Sequence, residues 1–258
     1  MLPPLPPSNE YQNMLPPTFE SYDTSPPWYD LGRWTPAAWT TDCCWESTFE
    51  VGVNGAEGNA QSFTMRTGGS VKRTSDWNTL KMDARYAKSA AGDTEQQHNA
   101  LMNINSDWDL GDSPFKAFGK YALEYDEFKA FDLRWVVNAG FAYDVIKGDD
   151  CNLTGRFGAG ISREIGGPDD RYVPEALFGM DYEKQITKRQ KLRIKVDYFP
   201  EWGDFVNYRM VTDAGWELAF DDESHFSLKL GLIDRYDSTP NGRKANDIDY
   251  SVLLLWKM

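Results

Sequence analysis

Two histidines, three cysteines and a set of closely spaced acids and bases are the side chains here that could do chemistry. A hydrolase of the Ser-His-Asp or Ser-His-Asn kind needs nucleophile, base and orienting group to converge at one place. His98 stands beside Asn99 and His225 follows Ser224, but the strand pattern set out below puts them near opposite ends of their strands. No enzymatic activity is therefore expected. Cys43, Cys44 and Cys151 have neither zinc-ligand spacing nor the Cys-x-x-Cys redox spacing, so neither a metal centre nor a cofactor is expected. The loop acids Asp169, Asp170, Glu201 and Asp204 lack the spacing of an EF-hand and read as solvated. Glu124, Asp126, Asp132 and Arg134 are mixed in sign and read more readily as a charge cluster than as a glycosidase pair. Such a cluster can brace a structure or hold an ion or solute.

The segments that must position these residues alternate. In "LRWVVNAGFAYDV", Leu133 to Val145, the odd positions are Leu, Trp, Val, Ala, Phe, Tyr and Val, while the even ones include Arg134, Asn138 and Asp144. That is the period of a β-strand with one apolar face, carried well beyond the five or six residues usual in soluble sheets. From Trp45 the pattern recurs in twelve candidate strands, near 45–54, 61–73, 77–88, 97–109, 115–126, 131–146, 152–164, 171–186, 191–200, 207–220, 225–236 and 247–257. The connections after even-numbered strands look short, as in "TSD" and "TKRQ". Several after odd-numbered strands look longer, as in "SAAGDTEQ", "EIGGPDD", "EWGDFV" and "DSTPNGRKAN". Residues 1–44 hold four Pro-Pro pairs and read as an extended or disordered N-terminal segment.

Composition narrows the choice. With 40 Asp and Glu against 27 Lys and Arg the chain repels phosphate backbones, which argues against a nucleic-acid partner. Ten Trp and 13 Tyr are many for a mean hydropathy of −0.60 and suit the interfaces of a membrane. No apolar run is long enough for a membrane helix. The fold expected is all-β: an antiparallel up-and-down transmembrane β-barrel of about twelve strands over residues 45–258. Both barrel ends should lie on the short-turn side, because an even strand number returns the chain to its starting side. Opposite strand faces then meet lipid and lumen, Val137 facing the first and Asn138 a hydrated second. Glu124, Asp126, Asp132, Arg134, Glu175, Arg193, Lys195, Asp197, Arg209, Asp213 and Glu217 are expected to share the lumen as an ion-paired network that largely fills it. Any residual path should favour cations, given the net charge of −13. Cys43 or Cys44 could pair with Cys151 on the short-turn side. The alternative is a soluble or surface β-sandwich that binds a partner without transport.

Three stretches carry a resemblance: "WESTFEVGVNGAEGNAQSFTMRTGG", "YALEYDEFKAFDLRWVVNAGFAYDVI", and "LGLIDRYDSTPN" with "NDIDYSVLLLWKM". Together, in this order, they resemble the salt-induced outer-membrane protein family, domain of unknown function 481, over roughly residues 45–258. The resemblance implies a barrel in the outer membrane of Gram-negative-type cells, with outer-membrane lipid as partner, a link to salt or osmotic stress, and no established substrate. The family's "GN" falls on Gly58-Asn59, a turn dipeptide suited to positive φ. Its "YDEF" and "YDS" fall on Tyr125 to Phe128 and Tyr236 to Ser238, near the predicted outer rim. The opening "MLPPLPPSNEYQ" lacks the basic and apolar regions of a signal peptide, so an exported barrel is expected here in mature or truncated form.

Overall fold

The computed structural model describes Thr35 and residues 44–56, 62–92, 94–168, 170–221 and 225–257. These form twelve strands: β1 (Cys44–Ala56), β2 (Ser62–Thr74), β3 (Asn78–Ala91), β4 (Thr94–Asp109), β5 (Phe115–Asp126), β6 (Leu133–Lys147), β7 (Cys151–Ile165), β8 (Tyr172–Thr187), β9 (Gln190–Glu201), β10 (Asp204–Ala219), β11 (Phe226–Asp237) and β12 (Asn246–Lys257). Each pairs antiparallel with its sequence neighbours, and β1 pairs with β12 to close the sheet. Closure rules out two stacked sheets. Most ladders run through ten or more registered pairs, whereas the β1–β12 seam has four, from Thr48↔Lys257 to Val51↔Leu254. Both strand termini lie at one end of the barrel, called here the terminal end.

The alternation read from the sequence is the wall of the barrel. Phe49, Val51, Val137, Phe141, Phe157, Leu230, Leu232, Val252 and Leu254 are exposed and face outward. A surface so apolar is stable against lipid and not against water. Aromatic rings gather at its two margins. Phe115 packs on Tyr143 and Phe226 stacks on Trp256 toward the terminal end. Tyr198, Tyr208 and Tyr236 form a row, and Trp135 meets Tyr172, toward the far end. These are the amphipathic rings that membrane interfaces favour.

The two ends differ in loop length less than the turn residues suggest: the far-end connections at residues 166–171 and 238–245 stay long, but two others are tight. β3 and β4 run almost to each other, so the eight-residue connection from Ser89 shrinks to residues 92–93, and "EWGDFV" shrinks to Trp202-Gly203, with Gly203 at φ +99°. On the terminal side, residues 110–114 and 220–225 are longer than either. Polar residues such as Thr94, Glu95 and Asp204 extend the ladders because strand ends above the membrane face water on both sides. A polar run there does not signal a turn.

Candidate functional site in the lumen

Inward-facing side chains project into the interior, and several ion pairs cross it. Arg85 on β3 donates through Nη2 to Asp213 Oδ2 on β10 at 3.0 Å. Arg134 on β6 reaches Asp237 on β11 at 3.0 Å. Lys120 on β5 meets Asp197 on β9 at 2.7 Å. Arg156 on β7 grips both oxygens of Asp107 on β4, at 2.6 and 2.9 Å, and donates Nε to Asp181 at 2.9 Å. None of these partners sits on adjacent strands except Arg156 and Asp181, so each pair works as a strut between separate parts of the wall. The geometry suits arginine, whose planar fork can hold two carboxylates at once.

The struts sit in local networks. At the far end Arg134 also donates Nε to Glu164 at 2.9 Å, lies 3.7 Å from Glu124, and stacks 4.3 Å over Phe131. Lys129 closes on Glu124 at 2.6 Å. Arg209 donates Nη2 to both oxygens of Glu175 at 2.7 Å, and Ser162 Oγ donates to the same carboxylate at 2.7 Å. In the middle Phe118, Ala142 and Leu177 are buried together, with Phe199 against them, so that part of the lumen is a packed apolar core. Glycine makes room for it: a Cβ on Gly158 would lie 3.0 Å from Phe118 Cζ, and one on Gly140, on the neighbouring strand, would lie 2.5 Å from the Cα of Gly158 and strike the Phe157 carbonyl.

Toward the terminal end a cavity of about 210 Å³ remains. Its wall carries seven Lys and Arg, among them Lys81, Arg193 and Lys195, against five Asp and Glu. A smaller space of about 60 Å³ lies above it. Both are bounded by Glu50, Arg85, Asp213 and Lys229. In that partition Glu50 accepts from Lys229 at 2.7 Å and lies 3.8 Å from Arg85. Spaces of about 70 and 80 Å³ occur at the far end, around Glu175 and around Glu124. These lumen spaces range from about 60 to about 210 Å³.

The predicted charges divide accordingly. Glu124, Arg134, Glu175, Asp197, Arg209 and Asp213 join the networks, Lys195 lies 3.5 Å from Asp197, and Glu217 pairs with Lys257. Arg193 faces the larger cavity, with no ion pair among the described residues. Asp126 is buried, but it accepts from the Phe128 amide at 3.0 Å and so shapes the turn after β5. Asp132 is a correction: it precedes β6, in the far-end connection, and is exposed, so it lies outside the lumen. Asn138 is another. It is 3% exposed and packs where Gly160 leaves space, so it is a buried position and not one open to the bulk solvent of a lumen. The expected negative lumen also fails at the main cavity, because five of the chain's acids lie in residues 1–44 with a single Arg beside them, and others lie on the rims.

Arg85, Lys120, Arg156, Glu50, Asp107 and Lys229 were not singled out in the sequence, although their parity within each strand already aims them inward; Asp237 was marked only as part of the "YDS" motif at the rim, and the structure makes it the partner of Arg134. Only the closed ring shows which meet. Of the loop acids, Asp170 pairs with Arg163 at 2.7 Å and Glu201 with Arg171 at 2.9 Å, which occupies their charge. Cys151 is a free thiol. Gly58, Asn59, Cys43 and Asp169, the side chain of Cys44, and residues 1–34 lie outside the described residues.

A family model described as "Protein of unknown function, DUF481" matches residues 49–257. Among solved structures the chain is similar to the NanC porin, at 9% identity over 83% of this chain and 98% of that one, with a TM-score of 0.46. It is similar to the KdgM porin in complex with disordered oligogalacturonate, at 10% identity over 83% and 98%, with a TM-score of 0.43. It is also similar to the translocator domain of autotransporter NalP from Neisseria meningitidis, at 12% identity over 84% and 88%, with a TM-score of 0.44. A search of curated proteins finds no match.

Proposed function

Because the chain belongs to the DUF481 family, whose name carries no activity, we propose its role from the barrel itself: an outer-membrane element whose lumen is a narrow passage, closed at rest by ion-pair struts. Its terminal end faces the periplasm. The observation that carries this reading is the partition of Glu50, Arg85, Asp213 and Lys229, a row of charges lying between two cavities. A permanently open porin gains nothing from such a row, and a solid structural peg would fill the cavities with apolar side chains. Charge pairs in a partly hydrated lumen are strong enough to hold a closed state and weak enough to part.

The same physics gives salt a role. Screening lengths fall from about 8 Å at 0.15 M to about 3 Å at 1 M, so raised ionic strength loosens hydrated struts first. Solutes would be small, and anions favoured at the periplasmic cavity because its wall has more bases than acids. Planar-bilayer recording of the refolded chain tests the proposal. The expected record is mostly silent at 0.15 M KCl, with small openings that become more frequent as salt rises. Large, steady channels at low salt would refute the closed lumen, and silence under every condition would leave a purely structural membrane element.

A further inference from the structure

We propose that Glu95, His98 and Glu127 form a site for a divalent transition-metal ion of the zinc class on the outward surface, near the far end of β3 to β5. His98 Nδ1 lies 2.7 Å from Glu127 Oε2 and 3.3 Å from Glu95 Oε1. The three donor atoms are within 4.8 Å of one another. Zinc with bonds of about 2.0–2.1 Å holds tetrahedral ligand atoms about 3.4 Å apart, so small side-chain shifts would seat the ion. A fourth position stays open to solvent.

The backbone builds this arrangement in three ways. Gln97 points into the lumen, where its Nε2 donates to Asp249, so plain alternation would send Glu95 inward with it. A register shift instead pairs Gln97 with Ser89 and Glu95 with Ala90, leaving Gln96 as the extra residue of a bulge. Glu95 therefore turns outward beside His98. Bulges that re-aim a side chain are common at barrel rims and next to active sites. Glu127 is brought in by its amide, which donates to the His98 carbonyl at 3.1 Å and carries the β4–β5 pairing one residue past Asp126. The imidazole ring is held edge-on between Tyr86, at 5.8 Å, and Tyr125, at 5.6 Å, which fixes where Nδ1 points.

One lysine also reaches the cluster. Lys88 Nζ lies 3.2 Å from Glu95 Oε1, so two carboxylates share a single cation and one negative charge remains when the imidazole is neutral. A divalent ion supplies more charge than Lys88 and displaces it. The ligand set also selects the ion: imidazole suits zinc and its neighbours, while calcium and magnesium prefer all-oxygen sites. Bound metal would tie β3's neighbour β4 to the turn after β5 and stiffen that rim.

The test uses the full chain refolded in detergent with Cys43, Cys44 and Cys151 changed to Ser, so that thiols cannot bind metal. Titration with zinc chloride should show one ion per chain, not displaced by 1 mM magnesium in the titration mixture. Affinity should fall tenfold or more in His98→Gln and in Glu95→Gln, and stay unchanged in His225→Gln. Cobalt should give a visible absorption band that His98→Gln abolishes. Should His98→Gln fail to show the folded mobility of an unheated gel band, Glu127→Gln takes its place. A folded chain that binds no stoichiometric zinc would overturn the proposal. So would zinc affinity that is the same in wild type and in the folded His98 or Glu127 variant.

Discussion

Replacing Asp213 by Asn removes one side of the strut between β3 and β10 and leaves its shape almost unchanged. The Arg85–Asp213 pair is 3.0 Å long, with the two side chains 28% and 31% exposed. Its Coulomb energy is about 5.5 kcal/mol at an effective dielectric of 20 and about 1.4 kcal/mol in bulk water. Desolvation offsets much of the larger figure, which brings the net loss to about 1–3 kcal/mol, the range for hydrogen bonds to charged groups. Arg85 keeps Glu50 at 3.8 Å, so the lower half of that range applies. At 1.4 kcal/mol per factor of ten, a loss of about 1–2 kcal/mol shifts the closed-to-open balance roughly 5- to 30-fold. Single-channel recording in 0.15 M KCl should show the open fraction of Asp213→Asn raised by that factor. In 1 M KCl the gap to wild type should narrow, because salt screens the intact strut as well. An open fraction equal to that of wild type at low salt, in a variant that refolds normally, would refute the strut as the closing element.

Three further outcomes follow from the walls and the cavity. Val137→Arg, at an outward position 42% exposed, should cost about 2–4 kcal/mol in urea unfolding from lipid, as arginine does at the bilayer midplane; Asn105→Asp, opposite Lys81 on the cavity wall, should cost no more than about 0.5 kcal/mol. Reversal potentials in a KCl gradient should show anion preference, reduced or inverted in Arg193→Glu. Gly140→Ala should destabilise by about 1–3 kcal/mol or more through overpacking against the β7 backbone, whereas Gly155→Ala, which meets nothing within 4 Å, should leave the melting of the folded band unchanged.

The barrel was legible because its physics is local. Alternation over twelve to sixteen residues fixes faces, and β5 ends at the very residues the alternation marks, Phe115 and Asp126. Rims were less legible: Thr94 and Glu95 read as a turn, yet they continue β4, since polarity above the membrane carries no face signal. The lumen network was half legible. Parity aims Asp213 inward, but nothing near it in the chain announces Arg85, 128 residues away. Pairing across a lumen depends on barrel diameter and strand stagger, which no short window contains. The sign of the main cavity was misjudged for a related reason, because total charge counts tails and rims along with the interior. The place of His98 near a strand end was legible, but the bulge that turns Glu95 toward it shifts parity by one and is silent in the alternation.

The seam between β1 and β12 has four registered pairs, and its partners are about 200 residues apart in the chain. Every other junction joins neighbours across a hairpin and can zip as soon as both strands exist. Closing the seam must wait for all of them, since loop closure is slow where contacts are non-local. Inside the barrel two ion pairs cross the junction, Glu50 of β1 to Lys229 of β11 at 2.7 Å and Arg66 of β2 to Asp249 of β12 at 3.1 Å. They act as sutures where the backbone ladder is thin. Salt that screens these two pairs should therefore weaken the seam before the hairpins: refolding should slow as ionic strength rises, and amide protons flanking the seam should exchange before those of any hairpin.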